Sequence, residues 1–390
     1  MPLRFQTAIS ADLIHGAVEI DTTPVGLLPY RLPAWARAQY PDGQLAMAAS
    51  QPSGVRLAFQ TEARTLELLT LPTKRAYNGL PPRPDGVYDL HIDGRLVQQA
   101  HTTGGKLLKI DMARGSTAIE PGEPQMLRFS DLPAGRKTVE IWLPHDETTE
   151  LMALHADAAI HAVATNRRRW LHHGSSISQG SNAASPSGTW PAVAAGLAGL
   201  DLLNLGYSGN ALLDPFVART MRDLPADVIS LKLGINLVNT DLMRLRAFVP
   251  AIHGFLDTLR DGHPTTPLLL VSPIYCPIHE DTPGPCLFDL PALREGRLLF
   301  RAAGTPAEAK QGKLTLRIIR EQLQAIVTAR QTTDPHLHYL DGTALYGASD
   351  NARLPLPDEL HPDAATQRLI GERFHQQVFS DDSPYGLGKL

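Results

Sequence analysis

Two rhythms of apolar and polar residues divide the chain. Up to about residue 165 the apolar positions mostly alternate with polar ones. Gly54–Phe59 and Lys137–Leu143 alternate cleanly, and Thr65–Leu71 less so. Gly86–Ile92 alternates and runs into Asp93-Gly94, a hairpin-type turn from which Arg95–Val97 returns. Met126–Phe129 leads to the turn at Leu132-Pro133-Ala134-Gly135, and Leu151–Asp157 reads as a further strand. A period of two over short runs predicts strands with one buried face, and regular turn signals between them predict an antiparallel β-sandwich, jelly-roll-like, over residues 1–165. Residues 21–50 carry little pattern and read as a wrap around that sandwich.

From residue 166 the rhythm changes. Arg169–His173, Leu202–Leu205, Val228–Leu233, Leu268–Ser272 and Leu337–Leu340 are short apolar runs with little alternation. Strands covered on both faces have that pattern. Between them the apolar period becomes helical. Leu242, Leu245, Val249, Ile252, Phe255, Leu256 and Leu259 share one stripe of a helix over Asp241–Arg260, which Thr240 or Asp241 can cap. Ile319, Leu323, Ile326 and Val327 do the same within Lys313–Arg330. A last helix opens after Pro362, in the role of a first-turn proline, and carries Leu369, Ile370, Phe374 and Val378. Alternating strands and helices predict an α/β domain over 166–380, a doubly wound, flavodoxin-like sheet of five parallel strands, with 381–390 as a C-terminal tail. In such sheets the chemistry gathers at the carboxyl ends of the strands.

Composition narrows the function classes. The 390 residues suffice for two cores. A net charge of -4 gives no basic face for phosphate tracking, so nucleic acid is not expected. No run approaches the roughly 20 apolar residues that a membrane span needs, and the N-terminus has no apolar run of signal-peptide length. The expectation is a cytoplasmic protein without a membrane partner; homo-oligomerisation stays open. Two cysteines, Cys276 and Cys286, make no disulfide framework. His91, His101, His145 and His155 in the first part are scattered, without a catalytic constellation. That part is read either as a substrate-binding wall or as a stability module.

Four turns follow predicted strands in the second part. They are Gly174–Gly180 with Ser175, Ser176 and Ser178; Asn204–Asn210 with Ser208-Gly209-Asn210; Gly234–Asn239 with Asn236; and Asp358–Pro362 with Asp358 and His361. Each alone is an ordinary turn, loop cap or helix start. Together they offer a hydroxyl, a base three residues after a carboxylate, and candidate oxyanion donors. The residues alone do not separate Ser175 from Ser176 as nucleophile, and Ser178 also competes.

The four turns resemble the SGNH hydrolase family, also called GDSL esterases and lipases, over roughly residues 168–380. The family's first block matches Gly174-Ser175-Ser176-Ile177, and the resemblance selects Ser176. Its glycine falls on Gly209, its Gly-x-Asn asparagine on Asn236, and its Asp-x-x-His on Asp358 and His361. Two positions depart: Ser175 stands where the family usually has aspartate, and Leu237 follows Asn236 where aspartate is common.

The resemblance implies a serine esterase. Ser176, His361 and Asp358 would form the triad, and the Ser176 N–H, the Gly209 N–H and the Asn236 amide would bind the oxyanion. Such chemistry calls for no cofactor. The expected substrate is a small-molecule ester with a short, acetyl-type acyl group, on a sugar or another metabolite. A longer-chain lipase or thioesterase, an acyltransferase, and a non-catalytic glycan-binding protein are the alternatives.

The long connection Ser272–Gly312 reads as a lid or binding loop. Tyr275, His279 and Glu280 on it, with Trp190 and Tyr207, are the expected pocket residues. Cys276, His279, Asp281 and Cys286 also admit a metal reading, but their proline-rich spacing does not match zinc frames, so no metal is expected.

Overall fold

The computed structural model describes residues 5–111, 114–385 and 387. The chain divides into two compact units. One holds the chain up to Ala34, Ala46–Asn166 and Ala184–Ser187; the other holds Trp35–Leu45, Arg167–Ala183 and the chain from Gly188 onward. The division departs from a single boundary at 165: Trp35–Leu45 goes with the second unit rather than wrapping the sandwich.

The first unit is built from an eight-stranded and a six-stranded sheet. Leu66, Leu68, Leu127, Phe129 and Leu154 of the larger sheet share one hydrophobic cluster with Leu57, Phe59, Tyr88, Leu90, Val139 and Ile141 of the smaller. Alternation put these side chains on the inner faces. The turn at Asp93-Gly94 has positive φ at both residues, +50° and +80°, and joins Ile92 to its cross-strand partner Arg95. That backbone matches the twist of the two strands. The pairing is not purely antiparallel, since Leu66–Tyr77 runs parallel to Lys106–Asp111. Within this unit Ser185 and Ser187 both donate to the buried Asp89 carboxylate, each at 2.6 Å.

The second unit is organised on five parallel strands: β1 (Arg169–Gly174), β2 (Asp201–Gly206), β3 (Val228–Lys232), β4 (Leu268–Val271) and β5 (Leu337–Leu340). Their order is β2-β1-β3-β4-β5. Every residue of β2, β3 and β4 is buried, which is why their sequences are nearly continuous apolar runs. The chain leaves β1 for β2 on one side and returns to β3 on the other. The crevice beyond β1 and β3 is thus the topological switch point, where doubly wound sheets hold ligands.

The helices follow the predicted stripes with corrections at their starts: the one expected from Lys313 begins at Leu316, capped by Thr315, whose side chain accepts from the Ile318 N–H. The helix over Leu245–Gly262 buries Phe248, Ile252, Phe255, Leu256 and Leu259 but begins later than Asp241. Asp241 is left-handed at φ +48°, and Thr240 instead ends the preceding short helix, donating to the Asn236 carbonyl at 2.8 Å. Neither caps the long helix; Leu242 is exposed. The final helix is Ala364–Phe374, capped by Asp363, whose side chain accepts from the Thr366 N–H. Pro362 therefore precedes the cap rather than sitting in the first turn.

An aromatic cluster fixes this final helix against β1. Trp170 of β1 stacks on Phe374 at 5.2 Å between ring centroids, and Trp190 lies 5.0 Å from Phe374. Of the predicted tail, Tyr385 donates to the Tyr339 carbonyl at 2.8 Å and Leu387 is buried, so it packs as part of the unit; residues 386 and 388–390 lie outside the described residues. Among the described residues no helix is long and apolar enough to cross a membrane.

Candidate active site

The turn after β1 sets one hydroxyl apart from two others. Gly174 ends the strand where a Cβ would meet Ser178 Oγ at 2.3 Å, so only glycine fits. Ser175 caps the one-turn helix Ser176–Gln179, its side chain accepting from the Ile177 N–H at 3.3 Å. Gly180 closes that turn in the left-handed region at φ +109°. Ser178 is fully buried and bonded to His172 Nε2 at 2.8 Å. His172 Nδ1 in turn meets Ser230 Oγ at 2.7 Å, and Trp170 Nε1 donates to the same oxygen at 2.8 Å. Burial holds His172 well below its ordinary pKa, so this inner Ser–His pair is a neutral core network. Ser176 is the serine left facing the site.

Ser176 Oγ lies 2.9 Å from His361 Nε2, although 185 positions separate them in the chain. His361 Nδ1 lies 2.8 Å from Asp358 Oδ2. A carboxylate only accepts, so Nδ1 carries the proton and Nε2 presents a lone pair to the hydroxyl. The Asp358 carboxylate also accepts from the His361 N–H at 2.6 Å, the Leu360 N–H at 3.0 Å and Asn182 Nδ2 at 3.2 Å. Burial alone would raise this carboxyl, but the bond and charge of His361 with the two backbone N–H groups hold it below its ordinary value of 3.8. Gln367 of the final helix donates to the Ser181 carbonyl at 3.2 Å and accepts from the Trp190 N–H at 2.9 Å. It ties the helix that follows His361 to the turn that holds Ser176.

The second and third turns supply donors. The Ser176 N–H is a first-turn amide with no carbonyl four residues back to receive it. Gly209 has φ +76°, and a Cβ there would meet only Gln44, at an ordinary 3.6 Å. The requirement for glycine here is the left-handed backbone. Gln179 Oε1 accepts from the Ser208 N–H at 2.8 Å, and Gln44 Nε2 donates to the Ser208 carbonyl at 3.1 Å, so the peptides on both sides of Ser208 are held. Asn236, 2% exposed, accepts on Oδ1 from the Ala211 N–H at 3.1 Å, which leaves its Nδ2 to donate elsewhere.

The expected pocket residues fare differently. Trp190 is fully buried in the aromatic cluster and Tyr207 is fully buried against His173. His279 is also fully buried, with Nδ1 3.0 Å from the Thr282 carbonyl. The Glu280 carboxylate pairs with Arg320. Tyr275 is half-buried, its N–H bonded to the Tyr346 carbonyl at 2.9 Å. Of the residues weighed for a metal, Cys276 is buried and donates to the Glu359 carbonyl, and Asp281 pairs with Arg317.

Sequence reasoning missed Gln44, Gln179, Asn182 and Gln367. Each lies away from the four turns or reads as an ordinary polar or core residue. Gln179 alone sits inside a recognised motif.

Comparison with known proteins fits this geometry. Residues 167–277 match the GDSL-like lipase/acylhydrolase family, and residues 13–151 match the SsfX3 N-terminal domain. No curated protein sequence matches the chain. Among solved structures, the salicylyl-acyltransferase SsfX3 from a tetracycline biosynthetic pathway is similar at 28% identity and a TM-score of 0.78, over 95% of this chain and 96% of that one. A GDSL-like lipase candidate from Bacteroides ovatus shares the fold at 16% identity and a TM-score of 0.66, over 93% of each chain. So does a family two carbohydrate esterase from Clostridium thermocellum, at 13% identity and a TM-score of 0.59, over 93% of this chain and 97% of that one. The chain thus pairs a match to the SsfX3 N-terminal domain over residues 13–151 with a match to the GDSL-like lipase/acylhydrolase family over residues 167–277, the arrangement expected from its resemblance to SGNH hydrolases.

Proposed function

We propose that the protein is a serine esterase that works through an acyl-enzyme on Ser176. The observation that carries this reading is the relay from Ser176 Oγ through His361 to Asp358, with steps of 2.9 and 2.8 Å. A serine hydroxyl is a weak nucleophile and needs an adjacent base. As Oγ attacks the ester carbonyl, His361 Nε2 takes its proton, and Asp358 stabilises the imidazolium and fixes its tautomer. The carbonyl oxygen gains negative charge, and the Ser176 N–H, Gly209 N–H and Asn236 Nδ2 are the donors that would receive it. Nε2 then protonates the departing alkoxide. Water repeats the sequence in reverse and frees the acid. The chemistry draws on no cofactor or metal. Small esters with short acyl groups, acylated sugars among them, are the proposed substrates.

A second reading has its own support. The salicylyl-acyltransferase covers nearly the whole chain, so transfer of the acyl group to an alcohol in place of water is the alternative fate of the same intermediate. The test is to mix the protein with aryl esters of increasing acyl length and quench early. A mass increase of one acyl group on the Ser176 peptide, fastest with acetate, is expected. Turnover with the modification on another residue, or none in wild type, would overturn the reading. Added alcohol that diverts product from acid to ester would favour transfer.

A further inference from the structure

The long connection after β4 carries a small hairpin, Cys286–Phe288 paired with Phe300–Ala302. Phe288 is directly opposite Phe300. The two-residue period puts Cys286, Phe288, Phe300 and Ala302 on one face and Leu287 and Arg301 on the other, where both are exposed. The Phe300 N–H donates to the Asp358 carbonyl at 3.0 Å, which pins the hairpin to the turn that holds His361. The Phe300 ring then meets the His361 ring edge-on, 5.7 Å between centroids and 73° between planes. Phe288 backs it at 5.1 Å.

We infer that Phe300 determines which alcohol group the site accepts. The inference rests on the acyl-enzyme reading above. In that reaction His361 Nε2 delivers its proton to the leaving alkoxide oxygen as the carbonyl carbon–oxygen bond breaks and the electron pair stays on that oxygen. In the second half Nε2 takes the proton of the incoming water or alcohol. Whatever leaves or enters must therefore lie within hydrogen-bond reach of Nε2. The acyl carbonyl is held instead by the donors of the Ser176, Gly209 and Asn236 turns. A phenyl ring packed on the imidazole borders the alcohol side of the site, and it limits the bulk of the alcohol there and favours one that turns an apolar face, a sugar's C–H face or an aromatic ring, toward it.

The test compares wild type with Phe300→Ala and Phe300→Leu. Two ester series are used: one acetate on alcohols from ethanol to naphthol, and one phenol on acyl chains from acetyl to hexanoyl. Active-site titration with a fluorophosphonate counts competent sites in each sample. In Phe300→Ala, kcat/KM for naphthyl over phenyl acetate should rise on the order of tenfold, the scale of a pocket contact, while the acyl-length ranking stays that of wild type. Phe300→Leu should move the same way by less, and it carries the comparison if the alanine variant titrates poorly. A changed acyl ranking with an unchanged alcohol ranking, or no change in either at full titre, overturns the inference. Activity surviving Ser176→Ala would instead overturn the underlying chemistry, so the two failures are distinct.

Discussion

Asp358 is the residue whose surroundings decide most. Its carboxylate collects four donors, from His361, Leu360 and Asn182. They offset burial and keep its folded pKa below the ordinary 3.8. A carboxyl depressed by folding adds stability that is fully present above its unfolded pKa and is lost as pH falls through the folded one. The melting temperature of wild type over Asp358→Asn should therefore be raised most near neutral pH, with the gap closing below about pH 4. Melting curves across pH check this, and a gap that widens toward acid would contradict it. The pairing of Asp358 with His361 was legible, because three residues on one turn keep the two side chains close. The Asn182 bond was not, since Asn182 adopts φ +64° in a loop whose course only the fold determines. Ser176 was separable from Ser175 and Ser178 only by resemblance. The physical reasons, a helix cap for Ser175 and a buried histidine partner for Ser178, needed coordinates.

At the scale of elements, the site depends on how tightly the final helix lies against the helix Trp190–Ala198. Gly371 is the point of approach: a Cβ there would come within 2.7 Å of Val193 Cβ and 2.8 Å of the Trp190 carbonyl. Gly371→Ala must push the helices apart, so a loss of about 1–3 kcal/mol is expected by denaturant titration. The same shift moves Gln367 and the turn before it, and kcat/KM for aryl acetates should fall with it. Unchanged stability and activity would contradict this packing account. The five strands were legible because burial on both faces writes apolar runs. Helix stripes were legible for the same reason, but starts were not: Asp241 looked like a cap and is a left-handed loop residue paired with Lys313 at 3.0 Å. Burial was less legible than pattern: Trp190 opens a helix and Tyr207 follows a strand end, yet both rings are fully buried.

For the whole molecule, each unit has a core of its own, and the chemistry-bearing turns all belong to the second. Its recruits from afar, such as Gln44 at the Gly209 turn, could not be read from a segment with no pattern. The proposed chemistry stands on one arrangement: the sheet brings a single serine to a histidine distant in sequence. The direct measurement is fluorophosphonate labelling with peptide mapping of wild type, Ser175→Ala, Ser176→Ala, Ser178→Ala and His361→Ala. Label is expected on Ser176 in wild type, retained in Ser175→Ala and Ser178→Ala, and lost in Ser176→Ala and His361→Ala. Label on Ser175 or Ser178 in wild type, or undiminished ester hydrolysis by Ser176→Ala, would contradict the account.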